Sequence, residues 1–360
     1  MTNLIIGIIS IISLFVLSYR NKNKYVLRES VSDSNSLISV IIPARNESSN
    51  LKNLLPSLYE QSYVNFEVIV ANDESSDDTK KVSASFGAKV VDINDRPPKA
   101  KPKAYACHQG YLESTGDIIV FVDADTFMSK NFLSSLVDVF VKENVEIVSV
   151  QPFHKSKKMF EQLSLFFHFV SVVGSGIFST IKIDNGIYGP CIAFTKNTYE
   201  STKGFANNNV MTSVIEDYEL SRVMEINNIK YSRKIGLNIF QYRMYSSLKD
   251  LFYGWTKNIS RGATKTNPLI VLAMVIMIGS MVSMPLNIFY GDQTLQAINL
   301  ICFLILLVMF IRIALKLGNY VLGIAFYPVC IMFFIVTFMF ALLSQIFKKE
   351  IVWANRKIKA

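Results

Sequence analysis

The last third of the chain limits most strongly what it can become. Three apolar runs, residues 269–290, 295–314 and 321–347, are each long enough to cross a bilayer as a helix. A shorter apolar run, residues 4–17, is followed by Arg20, Lys22 and Lys24. No basic region precedes it and no small-residue cleavage site follows it, so it reads as a short membrane anchor rather than a signal peptide. Its basic flank places the following chain in the cytoplasm and the N-terminus outside. At 51% hydrophobic residues the chain is too apolar for an ordinary soluble protein, and 360 residues leave room for one medium domain beside the membrane segments. The net charge of +9 flanks the apolar runs instead of massing in one block. Zinc-finger spacings and aromatic-rich RNA-binding signatures are missing, so the lipid bilayer, not nucleic acid, is the expected partner. The four cysteines form no CxxC pair, which argues against a disulfide framework or a zinc site.

A cytoplasmic domain followed by three full spans would leave the tail outside. The tail, residues 348–360, carries five Lys/Arg and one Glu, and such charge favours the cytoplasm. One run is therefore expected to be re-entrant, interfacial or broken, with Pro285 and Pro328 as break points. The expected division is an anchor at 1–20, a serine-rich linker at 21–36, a cytoplasmic domain at 37–262, a membrane bundle at 263–347 and the basic tail at 348–360.

The middle of the chain alternates strands and helices. Residues 37–42 (LISVII) and 66–71 (FEVIVA) read as buried strands, with a short third at 88–91 and a fourth at 118–122 (IIVFV). Between the first two, Leu51, Leu54, Leu55 and Leu58 fall on one helical face. Asp77 or Asp78 suits the N-cap of a helix running to Phe86. A helix at 105–114 precedes the fourth strand. This order predicts a parallel α/β sheet with helices on both faces. Acids and amides follow several strands: Arg45-Asn46-Glu47, Asn72-Asp73-Glu74, and Asp123-Ala124-Asp125. In open α/β sheets ligands bind beyond the carboxyl ends of the strands. Two acids at such an end repel unless a cation sits between them, and a hard divalent ion backed by a phosphate would resolve this. An Asp-rich turn alone is the plainer reading, because Asp favours turns.

Further along, residues 146–150 read as a strand. Residues 160–178 are aromatic and apolar, suited to an interfacial helix, a membrane-facing wall, or a full span that would flip the topology of everything after it. Tyr188-Gly189-Pro190 leads a strand at 191–194, and Glu216-Asp217 opens a helix whose acids would complement its dipole. Residues 243–262 mix basic and aromatic side chains just before the membrane. GxGxxG and GxxxxGK[ST] are absent, which disfavours a dinucleotide fold and P-loop chemistry. The three histidines, His108, His154 and His168, assemble no Ser–His–Asp arrangement and read as structural or surface residues.

As a set, ISVIIPARNE, VIVANDESSDDT, KAYACHQG, FVDAD, YGP and IEDYEL resemble the family 2 glycosyltransferases in order and spacing, from about residue 37 to 262. SVQPFH at 149–154, VVGSGIFST at 172–180 and RMY followed by GWTKNIS narrow the resemblance to the bacterial carotenoid branch of the staphyloxanthin type. The family implies a GT-A fold, a UDP-sugar donor, Mg²⁺ or Mn²⁺, and transfer with inversion. Carried over by position, Pro43, Arg45 and Glu47 line the nucleotide pocket, Asp73 bonds the uracil and Lys103 approaches the pyrophosphate. Asp123 and Asp125 form the metal-binding DxD, with Asp123 also facing the donor. Asp217, paired with Glu216, is the base. The acceptor would be an apolar lipid or carotenoid acid, glucosylated from UDP-glucose at the cell membrane, with Phe252 and Trp255 among its walls. Other lipid acceptors (ceramide, diacylglycerol, polyprenyl phosphate) would share nearly every motif, and a non-catalytic membrane scaffold is the alternative from another class. Three departures stand out. Glu74 replaces the glycine of the usual DDGS turn, the QxxRW of processive polysaccharide synthases is missing, and the tail has Trp353-Ala354-Asn355-Arg356 where related enzymes often have Trp-Lys-Gly-Arg.

Overall fold

The computed structural model describes residues 2–20, 24–32, 34–180, 186–213, 215–262, 267–347, 350–353 and 356–359. Parts of the expected linker and tail, residues 21–23, 33, 348–349, 354–355 and 360, lie outside them. The chain divides into two compact units, each discontinuous in sequence. One comprises residues 23–153 and 186–243. The other comprises residues 1–22, 154–185 and 244–360.

The first unit is built on a seven-stranded sheet. Its strands are β1 (Ile38–Ala44), β2 (Phe66–Asp73), β3 (Lys89–Ile93), β4 (Ile118–Val122), then, past the short β5 (Thr126–Met128), β6 (Ile147–Gln151). After the two-residue β7 (Phe153–His154) come β8 (Cys191–Thr195) and β9 (Tyr231–Ile235), while β10 (Phe240–Tyr242) lies outside this sheet and pairs antiparallel with β5. The order across the sheet is β3-β2-β1-β4-β8-β6-β9. Strands β1 to β4 are mutually parallel, and β6 pairs parallel with β9.

Side chains alternate between two cores, as the twofold period of a strand requires. Val40, Val70 and Val120 face one core with Leu51, Leu54, Leu55 and Leu58 of the helix Ser48–Tyr59. Ile41, Ile69 and Ile119 face the other, with Ala104 and Cys107 of the helix Pro102–Leu112. Every residue of β4 is buried. Apolar strands covered on both faces account for the near-continuous hydrophobic runs in the sequence.

One expectation is corrected. The sheet is mixed, because β8 runs antiparallel to both β4 and β6. The chain enters β8 at the carboxyl end of β4, where Asp123 N–H donates to Pro190 O at 3.0 Å. It can only run back from there, and in doing so it sets Tyr188-Gly189-Pro190 beside the DxD.

The second unit is helical. Three of its helices, Pro268–Asn287, Gln293–Leu317 and Tyr327–Ile346, are long and apolar enough to cross a membrane. The third run is broken, with Val321–Ala325 a separate short helix and Pro328 in the first turn of the next. Pro285 lies inside its helix, two residues from the end. The N-terminal run is a 17-residue helix, Thr2–Ser18, shorter than those three. It packs against Pro268–Asn287, where Ser10 Oγ lies 2.6 Å from Ser280 Oγ and a Cβ on Gly7 would fall 2.5 Å from Met284 Cε.

Residues 160–178 form no span. A 3₁₀ turn, Met159–Ser164, leads into a ten-residue helix, Leu165–Gly174, whose aromatic residues are buried. Phe166 stacks on Phe310, and Phe167 meets Phe334 edge-on. His154 and His168 are buried beside Ser156 and Tyr320, to which their Nδ1 atoms are bonded, which fits structural histidines.

Candidate active site

The loops that leave β1 and β2 are bound to each other. Arg45 Nη1 donates to Asp73 O at 3.2 Å and to Glu74 Oε2 at 3.1 Å. Asn46 N–H donates to Ser75 Oγ, and Ser76 N–H donates back to Asn46 Oδ1 at 2.8 Å. Glu47 and Ser48 N–H donate to Thr79 Oγ1 and Asp77 Oδ2. Asn46 adopts φ 55° and Glu74 φ 51°, both in the left-handed region. Asn tolerates that region, whereas for Glu it is strained. Glu74 stands where the resemblance expects glycine, and its backbone adopts a conformation that glycine takes without strain. The ion pair with Arg45 offsets part of the strain.

Asp73 ends β2 and is 3% exposed. Arg96, in the loop after β3, brings Nε within 4.0 Å of Asp73 Oδ1 and donates from Nη1 to Ala100 O. That Nε is buried and makes no hydrogen bond, as is true of Asn72 Oδ1 nearby. Buried polar atoms of this kind suit a ligand with its own donors and acceptors, such as a nucleobase edge. Arg96 belongs to no motif, and only a basic residue shortly after a strand hinted at it.

The acids cluster at the end of β4. Asp123 and Asp125 are half-buried. Burial, together with the charges of Asp123 and Glu47, pushes the Asp125 carboxyl well above the usual carboxylate range. Burial also raises Glu47, with Asp123 and Asp77 adding to it, while the amide of Asn50 on its carboxylate pulls the other way. Lys103, in the first turn of Pro102–Leu112, reaches into this cluster. Its Nζ is 2.6 Å from Asp123 Oδ1, 3.5 Å from Glu216 Oε1 and 3.4 Å from Gly189 O. Burial pulls its pKa down, but Asp123 and Glu216 hold the ammonium well above the ordinary lysine value.

Glu216 and Asp217 open the helix Glu216–Ile226. Burial and the neighbouring Glu216 push Asp217 up to about 6, although Lys103 and the Tyr218 N–H favour its charged form. Gly189 matters by its size. A Cβ there would lie 3.4 Å from Asp217 Oδ2 and 3.5 Å from Lys103 Nζ, filling the space between them.

The structure thus brings Glu47, Lys103, Asp123, Asp125, Glu216 and Asp217 to one sheet edge, with Arg45 and Asp73 beside them and Pro43 within β1. Phe252 and Trp255 lie in the other unit. Trp255 is 4% exposed, stacked on Phe167, with its indole N–H donating to Ser164 Oγ, so it is part of a packed core rather than an open wall. Phe252 is half-buried against Phe333 and Phe340.

The donor set also speaks to a metal. Among the described residues no group of three or more His, Cys, Asp or Glu side chains is arranged to ligate one. Mg²⁺ and Mn²⁺ commonly take one or two carboxylates and complete their shell with phosphate oxygens and water. Two half-buried aspartates whose charges oppose each other fit that requirement.

The Glycosyl transferase family 2 model matches residues 39–193. A 4,4'-diaponeurosporenoate glycosyltransferase of Staphylococcus aureus is 33% identical over 271 residues, spanning 73% of this chain and 72% of the relative. The fold is shared with a mannosyltransferase from Pyrobaculum calidifontis, solved with GDP-mannose and Mn²⁺. The TM-score is 0.57 at 16% identity, over 97% of this chain and 100% of that one.

Proposed function

This chain belongs to glycosyl transferase family 2, and from that premise we propose that it moves glucose from UDP-glucose to the carboxyl group of an apolar carotenoid acid at the membrane. The observation that carries the reading is the single lysine standing between two pairs of acids. Lys103 Nζ lies 2.6 Å from Asp123 and 3.5 Å from Glu216, so the donor's leaving group and the acceptor would meet at one place. The relative's name supports the acceptor, and the three long apolar helices support a substrate that lives in lipid.

Arg45, Asp73 and Arg96 would hold the nucleoside. As the glycosidic bond to the diphosphate breaks, negative charge grows on the leaving oxygens, and Lys103 is the cation placed to meet it. A divalent ion held by Asp123 and Asp125 would neutralise the rest of that charge. The acceptor oxygen attacks from the opposite face, which inverts the anomeric centre. A carboxylic acid has a reference pKa of about 4 and is already ionised at neutral pH, so its attack needs no base.

A second reading has an observation of its own. Asp217 near 6 is tuned as a general base should be. A base of that kind serves a hydroxyl acceptor, such as the head of a lipid alcohol. The test is a transfer assay in membranes containing the protein, with UDP-glucose, Mg²⁺ or Mn²⁺, and a panel of carotenoid acids and lipid alcohols. Labelling of a carotenoid acid is expected. Labelling of lipid alcohols alone would overturn the acceptor and keep the donor chemistry.

A further inference from the structure

We propose that Lys103 is a resident counter-ion that keeps the DxD from taking a divalent metal until a diphosphate arrives to draw the lysine away. The inference rests on the reading that Asp123 and Asp125 hold a metal together with the donor's diphosphate.

Three observations lead to it. Lys103 Nζ occupies Asp123 Oδ1 at salt-bridge distance, so a divalent ion on the same oxygen would sit against a like charge. The lysine is also poorly placed on its own helix. It lies in the first turn of Pro102–Leu112, where the helix dipole disfavours a cation. Asp123 and Glu216 and the Gly189 carbonyl hold it there, so it is poised to leave when a stronger anion appears. Lastly, the described residues provide no third carboxylate or imidazole arranged to make a metal site independent of substrate oxygens. A site of two carboxylates, one already neutralised by a lysine, is a weak site for a bare ion. A diphosphate changes both terms, because it offers its own oxygens to the metal and a new partner to the ammonium. Metal and nucleotide then bind as a coupled pair, and by linkage each tightens the other by the same factor.

Lys103 is in this sense a positioning residue for the metal, and its removal tightens binding of the metal alone while weakening the coupling between metal and nucleotide. The experiment follows free Mn²⁺ by electron paramagnetic resonance during titration of the purified full-length protein in detergent, with and without UDP. In the wild type, Mn²⁺ alone binds weakly and UDP tightens it at least tenfold. In Lys103→Met, Mn²⁺ alone binds at least fivefold tighter than to the wild type, and the tightening by UDP shrinks. Lys103→Arg keeps the charge and keeps the weak metal-only binding.

If Lys103→Met proves unstable because its acids now repel, thermal unfolding gives the same answer. Mn²⁺ without nucleotide should raise the melting temperature of the variant far more than that of the wild type. An unchanged or weaker metal-only affinity in Lys103→Met, with no such thermal rescue, overturns the inference while leaving the metal reading intact. Failure of the wild type to bind Mn²⁺ even with UDP overturns the metal reading and this inference with it.

Discussion

The two ends of the candidate site are held together in opposite ways. At the β1–β2 end, backbone N–H groups of Asn46, Glu47, Ser48 and Ser76 each find a side-chain acceptor on the facing loop. At the β4 end, four carboxylates (Asp123, Asp125, Glu216 and Asp217) share one lysine, and Asp125 and Asp217 are driven toward their protonated forms. At the first end the loop N–H groups are satisfied and built for shape, while the buried Asn72 Oδ1 and Arg96 Nε beside them are left open. The second is electrostatically unsatisfied, which is where chemistry on a charged substrate is done. Substitutions should therefore separate: at the β4 end they cost activity and not stability, and among the residues that tie the β1–β2 loops together, the nucleoside-facing Arg45 and Asp73 excepted, the reverse.

The largest expected effect is at Asp125. Asp125→Asn removes an oxygen proposed to hold the metal and should lower transfer by about 10³-fold or more, since charge stabilisation on a leaving group is commonly the largest catalytic term. It also removes an acid pushed well above its usual range, so the melting temperature at neutral pH should hold or rise. A variant that lost activity because it unfolded would erase the contrast between the two ends.

Asp217→Asn is next, and its effect depends on the acceptor. With a hydroxyl acceptor, loss of the base should cost about 10²–10⁴-fold. Wild-type turnover with that acceptor should fall as pH drops through about 6, the value to which Asp217 is raised. With a carboxylate acceptor the variant should lose far less than Asp125→Asn, and the step near 6 should be weak. Stability has a definite sign. The folded-state pKa lies above the unfolded value near 3.9, so the folded protein holds this proton more tightly. Ionising Asp217 costs stability as pH rises from about 4 through 6. The Asn variant escapes that cost, so above pH 6 it should be more stable than the wild type by at most about 3 kcal/mol, read as a higher melting temperature, with the gap closing below about pH 4. Thermal melts across pH 4 to 8 check this.

Much of this division was legible in the sequence, because the β1, β2 and β4 ends announce themselves as apolar runs closing on acids and amides. The helix with Leu51, Leu54, Leu55 and Leu58 followed from periodicity alone. The direction of β8 did not, since an apolar stretch has the same pattern read either way and only the path of the preceding chain decides it. Arg96 was hidden because it reaches Asp73 only through the path of the loop after β3, with no spacing to mark it. Residues 160–178 looked membrane-facing because burial inside a helical unit and exposure to lipid select the same apolar side chains.

At the satisfied end, Asn46→Ala tests shape. The substitution forfeits the bonds from Ser76 to Asn46 Oδ1 and places alanine at φ 55°. A lost hydrogen bond and a left-handed penalty together suggest about 1–3 kcal/mol of destabilisation, read as a lower melting temperature. Activity of the folded fraction should change only a few-fold. A loss like that of Asp125→Asn would mean that the loop serves the chemistry directly.

Glu74→Gly should have the smallest effect, because its gains and losses nearly cancel. Glycine relieves the strain at φ 51°, about 1–2 kcal/mol. It also forfeits the exposed pair with Arg45, about 0–1 kcal/mol, and adds freedom to the unfolded chain, about 0.5–1 kcal/mol. The net should fall within about 1 kcal/mol of zero. Arg45 keeps its bond to the Asp73 carbonyl, so UDP affinity should stay within a few-fold, measured by calorimetry. If the affinity instead falls tenfold while the melting temperature holds, the Arg45–Glu74 pair positions the nucleotide. Glu74 would then share in function by orienting the Arg45 that is proposed to hold the nucleoside.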